Sequence, residues 1–149
     1  MEEFRSKRSL GHVWTLFCEG SSVDKQKNNL TVFNVIDQLV IETSSKDKQL
    51  IAPVDIQIIT LWKRDGTQGT ANVDVEMDVL DPKGKLLNTI GYKVEMPEKI
   101  RRNRSIGSIP GMKVTESGDY KFVIRIREGK HQPFKQIAEA SLDITVKRI

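Results

Sequence analysis

The sequence predicts an all-β fold, a two-sheet antiparallel β-sandwich of immunoglobulin-like Greek-key type with about seven strands. Three observations carry that expectation. Apolar residues recur at every second position in run after run. Pro, Gly, Asp and Asn gather between the runs. A Gly-x-Tyr opens one of the late runs in the manner of a tyrosine corner.

Residues 1–11 are polar and read as a loose N-terminal arm, leaving 12–149 as one sandwich domain. Strand-type composition follows at Val13–Glu19, Leu30–Ile41 and Val54–Arg64, each rich in Val, Ile, Thr and aromatic residues. Alternation is cleanest at Ala71–Leu80, where Val73, Val75, Met77 and Val79 share one face and the carboxylates take the other. Asp81-Pro82-Lys83-Gly84 then supplies a preset φ and a residue free to take positive φ, which makes a hairpin of Ala71–Leu80 with Leu86–Met96. The segment 106–111 is broken by Gly107, Pro110 and Gly111 and excludes a helix interior.

Alternation resumes with Tyr120, Phe122, Ile124 and Ile126. Gly118 lies two residues before Tyr120, the spacing at which a phenol hydroxyl bonds back to the chain at a sheet-crossing turn. The last element, 134–146, is ambiguous. Phe134, Ile137, Ala138 and Leu142 have helical spacing, whereas Phe134, Ala138, Ala140, Leu142, Ile144 and Val146 alternate with only Gln136 out of step. A long strand is preferred. All runs are half-buried rather than apolar throughout, which favours antiparallel pairing.

The 149 residues suffice for one domain without staples. One cysteine, Cys18, excludes an internal disulfide framework and points to a reducing, cytoplasmic setting. The start, Met1-Glu2-Glu3-Phe4-Arg5-Ser6-Lys7-Arg8, has no apolar core of a secretory signal.

The net charge of +4 is unevenly placed: residues 97–136 hold 10 Lys/Arg against 4 Asp/Glu, while 1–96 hold 12 against 14. Lys99, Arg101, Arg102 and Arg104 form the densest cluster, a candidate polyanion site acting on phosphates without base readout, since no aromatics accompany it. A solvated loop has the same composition.

Chemistry-bearing motifs are scarce. Two histidines, His12 and His131, and one cysteine leave no metal-ligand or nucleophile motif, so no catalytic residue and no cofactor are expected. Cys18 shares its parity with Trp14 and Leu16 and reads as a buried small hydrophobe. Asp74, Glu76 and Asp78 on one strand face, with Asp81 at its end, are weak candidates for a cation site, against a solvated face paired with Lys85 and Lys93. Three early strands place some large apolar groups on both faces. Phe17, Phe33, Val35, Ile59 and Leu61 are therefore the candidate interface, or lie under a cover supplied by residues 97–112.

His12-Val13-Trp14-Thr15-Leu16-Phe17-Cys18-Glu19-Gly20, followed by Asn29-Leu30-Thr31-Val32-Phe33-Asn34-Val35-Ile36-Asp37-Gln38-Leu39 and by Gly118-Asp119-Tyr120-Lys121-Phe122, resembles a family of short, uncharacterised bacterial and phage proteins. The resemblance implies a sandwich-like domain and no activity. The expected function is thus non-enzymatic protein–protein interaction, self-association included. Nucleic-acid or polyanion binding through 99–104 is the alternative, and a cation-binding or enzymatic module on 74–81 the third reading; no membrane partner is expected.

Overall fold

A computed structural model describes residues 10–66 and 68–149; most of the expected arm, residues 1–9, lies outside them. The described residues form eleven strands: β1 Gly11–Val23, β2 Leu30–Val35, β3 Gln38–Thr43, β4 Leu50–Ile51, β5 Ile56–Lys63, β6 Ala71–Leu80, β7 Leu86–Met96, β8 Arg102–Ile109, β9 Lys113–Val114, β10 Gly118–Arg127 and β11 Lys135–Arg148. A four-stranded sheet has the order β2-β1-β5-β8 and a five-stranded sheet the order β3-β11-β10-β6-β7, with β4 and β9 pairing apart. The all-β class holds. Among the described residues no helix is long and apolar enough to cross a membrane.

The two larger sheets share one core. Phe17, Ile58 and Trp62 of the first meet Val75, Met77, Phe122 and Leu142 of the second, and the Phe17 and Phe122 rings stack at 4.7 Å and 52°. The β6–β7 hairpin falls where the turn chemistry put it. Asp81 Oδ1 accepts the N–H groups of Lys83 and Lys85 at 2.9 and 2.8 Å, and Gly84 takes φ +87.

The tyrosine corner also forms. The Tyr120 hydroxyl accepts from Thr115 N and Glu116 N, each at 3.0 Å, and donates to Glu116 O at 2.6 Å. Gly118, with φ +144, must be glycine for a second reason: a Cβ there would sit 2.8 Å from the Pro82 ring.

Four expectations need correction. Leu10 is buried and Gly11 opens β1, so the ordered chain begins inside the expected arm. The run Leu30–Ile41 is two strands, because Asn34 turns to φ +54 and the chain passes at buried Ile36 from one sheet to the other. The resulting β3 pairs with β11 in parallel, so pairing is not wholly antiparallel. Residues 102–109 are also a strand, β8, paired with β5 along its whole length.

The count of about seven strands therefore rises to eleven, because the Gly- and Arg-rich edge strand and the two-residue strands lack an alternating signal. The last element is a strand, as preferred. Its pairing shifts between Ile124 and Arg125, leaving Ile137 as the extra residue, which is why Gln136 falls out of step.

Candidate interaction site

The four-stranded sheet carries the five interface candidates, and its register sorts them. Phe17 stands opposite Ile58 and faces the core, 4% exposed, so it is removed from the interface. Leu16–Ile59–Ile106 and Trp14–Leu61–Arg104 form successive rows on the other face, and Cys18 stands opposite Val35 and Gln57. Ile59 and Cys18 are fully buried yet belong to no part of the shared core.

The chain itself covers them. Arg104 NH2 on β8 donates to Asn28 O and Oδ1 in the β1–β2 connection at 2.5 and 2.9 Å, and Ser21 Oγ donates to Gln57 Oε1 at 2.7 Å. Two strands separate β2 from β8 in the sheet, so the Arg104–Asn28 bonds require the sheet to curl. Ile59 is accordingly a buried residue of the curled sheet, not an interface residue, and Arg104 of the 97–112 stretch is bonded to the hairpin. Leu61 is half-buried.

What remains outside is Phe33 at 51% exposure and Val35 at 57%, with Ile106 at 44% on β8 and Val40 at 52% on β3. Ile106 escaped the sequence reading because β8 has no alternating apolar pattern. Its only signal was its place in register with Ile59. β2 is also a sheet edge, and its six residues, Leu30 to Val35, hold no charge. The other edges of the two larger sheets carry charge: Glu42 on β3, Lys93 and Glu95 on β7, Arg102 and Arg104 on β8.

The basic cluster divides. Lys99, Arg101 and Arg102 are exposed, Arg102 opposite Lys63, whereas Arg104 is committed to Asn28. The loop that presents them is held from beneath by Arg64, 7% exposed. Its guanidinium donates to Ile100 O at 2.9 Å, Gly69 O at 2.9 Å and Pro97 O at 2.8 Å, joining the β5–β6 and β7–β8 connections.

The acidic candidates are neutralised. Asp74 pairs with Arg127 Nε at 3.0 Å, Asp78 with Arg125 NH2 at 3.1 Å and Glu76 with the same nitrogen at 3.6 Å, while Phe134 lies under both guanidinium groups. Asp81 is buried in its turn. With these partners the four carboxylates do not make a cation site, and among the described residues no group of three or more His, Cys, Asp and Glu is placed to hold a metal. Lys93 stands opposite Asp74 on β7 as expected, while the ion pairs of Asp74 and Asp78 run to the arginines of β10 on the other side of β6.

A polar seam crosses the core edge. Thr15, Thr60 and Ser105 stand in one register row. His12 Nε2 meets Thr15 Oγ1 at 2.8 Å, Thr15 meets Thr60 at 2.9 Å, and Trp62 Nε1 donates to Ser105 Oγ at 3.0 Å. Burial holds His12 below its ordinary pKa and Tyr92 above its own, and it raises the Cys18 thiol. Each shift favours the neutral form of its group.

No family model matches this chain, and no curated protein does. Among solved structures it is similar to the N-terminal domain of PorA, with 9% identity and a TM-score of 0.32 over 90% of this chain and 98% of that one. That likeness is too slight to transfer architecture or role.

Proposed function

We propose that this chain is a non-enzymatic, cytoplasmic β-sandwich module of immunoglobulin-like Greek-key topology that works by protein–protein interaction, beginning with self-association through β2. The topology reading is supported by the order β3-β11-β10-β6-β7 facing β1-β5-β8, by the parallel β3–β11 edge and by the Tyr120 corner.

The interaction reading rests on one observation. β2 is an uncharged edge strand that leaves Phe33 and Val35 more than half exposed. Two copies can meet there about a two-fold axis, each Phe33 covering the other's Val35, with no like charges brought together. Sedimentation velocity from about 1 to about 100 µM tests this, since weak isologous contacts dissociate across that range. A concentration-dependent dimer that Phe33→Lys abolishes supports the reading. A monomer throughout, or a dimer indifferent to both Phe33→Lys and Val35→Lys, refutes it.

A second reading has its own observation: Lys99, Arg101 and Arg102 stand exposed on a loop that Arg64 holds in shape. Polyanion binding there would weaken steeply with salt and fall on replacing Arg101 and Arg102 by Ala.

A further inference from the structure

β7 and β8 follow one another in the chain but lie in different sheets, and both are edges. They touch near the connecting loop, where Asn103 Nδ2 donates to Glu95 O at 2.8 Å and Ser105 Oγ lies 3.4 Å from the Tyr92 hydroxyl. Beyond those contacts they splay, opening a slot of about 400 Å³ between the sheets. Its floor is apolar, from Ile58, Met77, Ile90, Val94 and Ile109. Its walls are runs of adjacent residues, 92–95 on one side and 103–109 on the other, so each wall follows a stretch of strand.

Hydrogen bonding fixes which main-chain groups face the slot. Arg64 N donates to Arg101 O, so Arg101 and alternate residues after it face β5. Ile106 and Ser108 therefore turn their N–H and C=O groups away from β5, into the slot, as Arg104 turns its C=O, while the Arg104 N–H is taken by Asn103 Oδ1 at 2.9 Å. On the other wall Glu95 O accepts from β8, which turns Gly91, Lys93 and Glu95 the same way.

These walls select the occupant. A purely apolar molecule would cover two rows of N–H and C=O groups without pairing them, at about 1–3 kcal/mol for each group left unsatisfied. A peptide strand pairs them and drops alternate side chains onto the floor. Its remaining side chains point outward past exposed Lys93, with Arg102 next to the lining residue Asn103 and Lys99 and Arg101 on the connecting loop, against the carboxylates of Glu95 and Glu98. The rim is positive.

We propose that the slot between β7 and β8 takes an extended peptide of alternating apolar and acidic residues, added as a strand to β8. The surface is separate from β2, so the two proposals stand or fall independently. The probe is a fluorescently labelled, eight-residue peptide alternating valine and glutamate, followed by anisotropy on the full chain. Its counterpart alternates valine and lysine.

Ile106→Pro and Lys93→Pro each remove one slot-facing N–H while leaving the β5 and β6 ladders whole, a placement proline tolerates on an edge. Each should weaken binding by about tenfold or more, the effect of one lost hydrogen bond and a blocking ring. Ile51→Lys, at an exposed position on β4 outside the slot, should leave binding unchanged.

Should a proline variant misfold, amide hydrogen exchange on the unmodified protein reads the same point: the glutamate peptide should slow exchange at Lys93, Ile106 and Ser108. Absence of binding at about 1 mM, the weak end of specific recognition, overturns the proposal. So does binding that ignores both prolines without slowing those amides, or saturable uptake of an apolar dye at the slot with no peptide binding. Equal affinity for the lysine peptide overturns the acidic assignment.

Discussion

Replacing Tyr120 with Phe deletes one oxygen and leaves the ring, which is fully buried in the core, in place. That oxygen makes three main-chain bonds, two accepted from Thr115 N and Glu116 N and one donated to Glu116 O. A protein hydrogen bond contributes about 0.5–1.5 kcal/mol net, and an unpaired buried group costs about 1–3 kcal/mol. Thr115 and Glu116 are half-exposed, so water replaces part of what their main chain loses. The expected loss is therefore about 2–3 kcal/mol, below the sum of three separate bonds because they share one atom.

For a chain of this size that lowers Tm by roughly 6–10 °C. Urea unfolding is the assay, with the change read from the midpoint at constant m. A loss under about 0.5 kcal/mol, the level of an ordinary surface substitution, would refute the argument that this hydroxyl locks the β9–β10 turn.

Arg64→Lys removes the planar fork that reaches three carbonyls on two loops, and keeping the charge should not rescue it. Urea unfolding should show about 2–4 kcal/mol lost, with wild-type stability counting against the caged-arginine account. Phe17→Ala should cost about 3–4 kcal/mol and Phe33→Ala less than about 1 kcal/mol, so a matched pair of unfolding curves checks the assignment of one ring to core and the other to surface. His12 is held below its ordinary value of 6.5 in the folded chain by burial. Above that value both states leave it neutral; as pH falls below it the unfolded chain takes the proton first, so stability declines until the folded group also titrates. Removing the group with His12→Gln should flatten stability over pH 5 to 7 (about the range in which histidine titrates), and an unchanged slope would exclude His12 as its source.

Alternation alone located β6 and β10, because both are central strands with one face on the core, and period two then repeats without interruption. Asp81 and Gly84 fixed the β6–β7 hairpin for an equally local reason. Tyr120 was legible because its partners lie four and five residues away in the same chain. Ile137, by contrast, is a bulge, visible in the sequence only as Gln136 being out of step.

The site was less legible, since it depends on which strands become neighbours. Phe17 and Ile59 are as apolar as Phe33 and Val35. Nothing local tells a ring stacked on Phe122 from one in solvent, or shows that Asn28 of the β1–β2 hairpin would meet Arg104 of β8. Asp74, Glu76 and Asp78 likewise lost their reading as a cation site to Arg125 and Arg127, about fifty residues away in sequence. The sequence by itself determined the all-β class, the turns and the inward faces, because those follow from a residue and its near neighbours. Sheet order, curl and the splay between β7 and β8 are set by contacts between distant segments, and only the tertiary structure decided which apolar and charged side chains remain free to meet a partner.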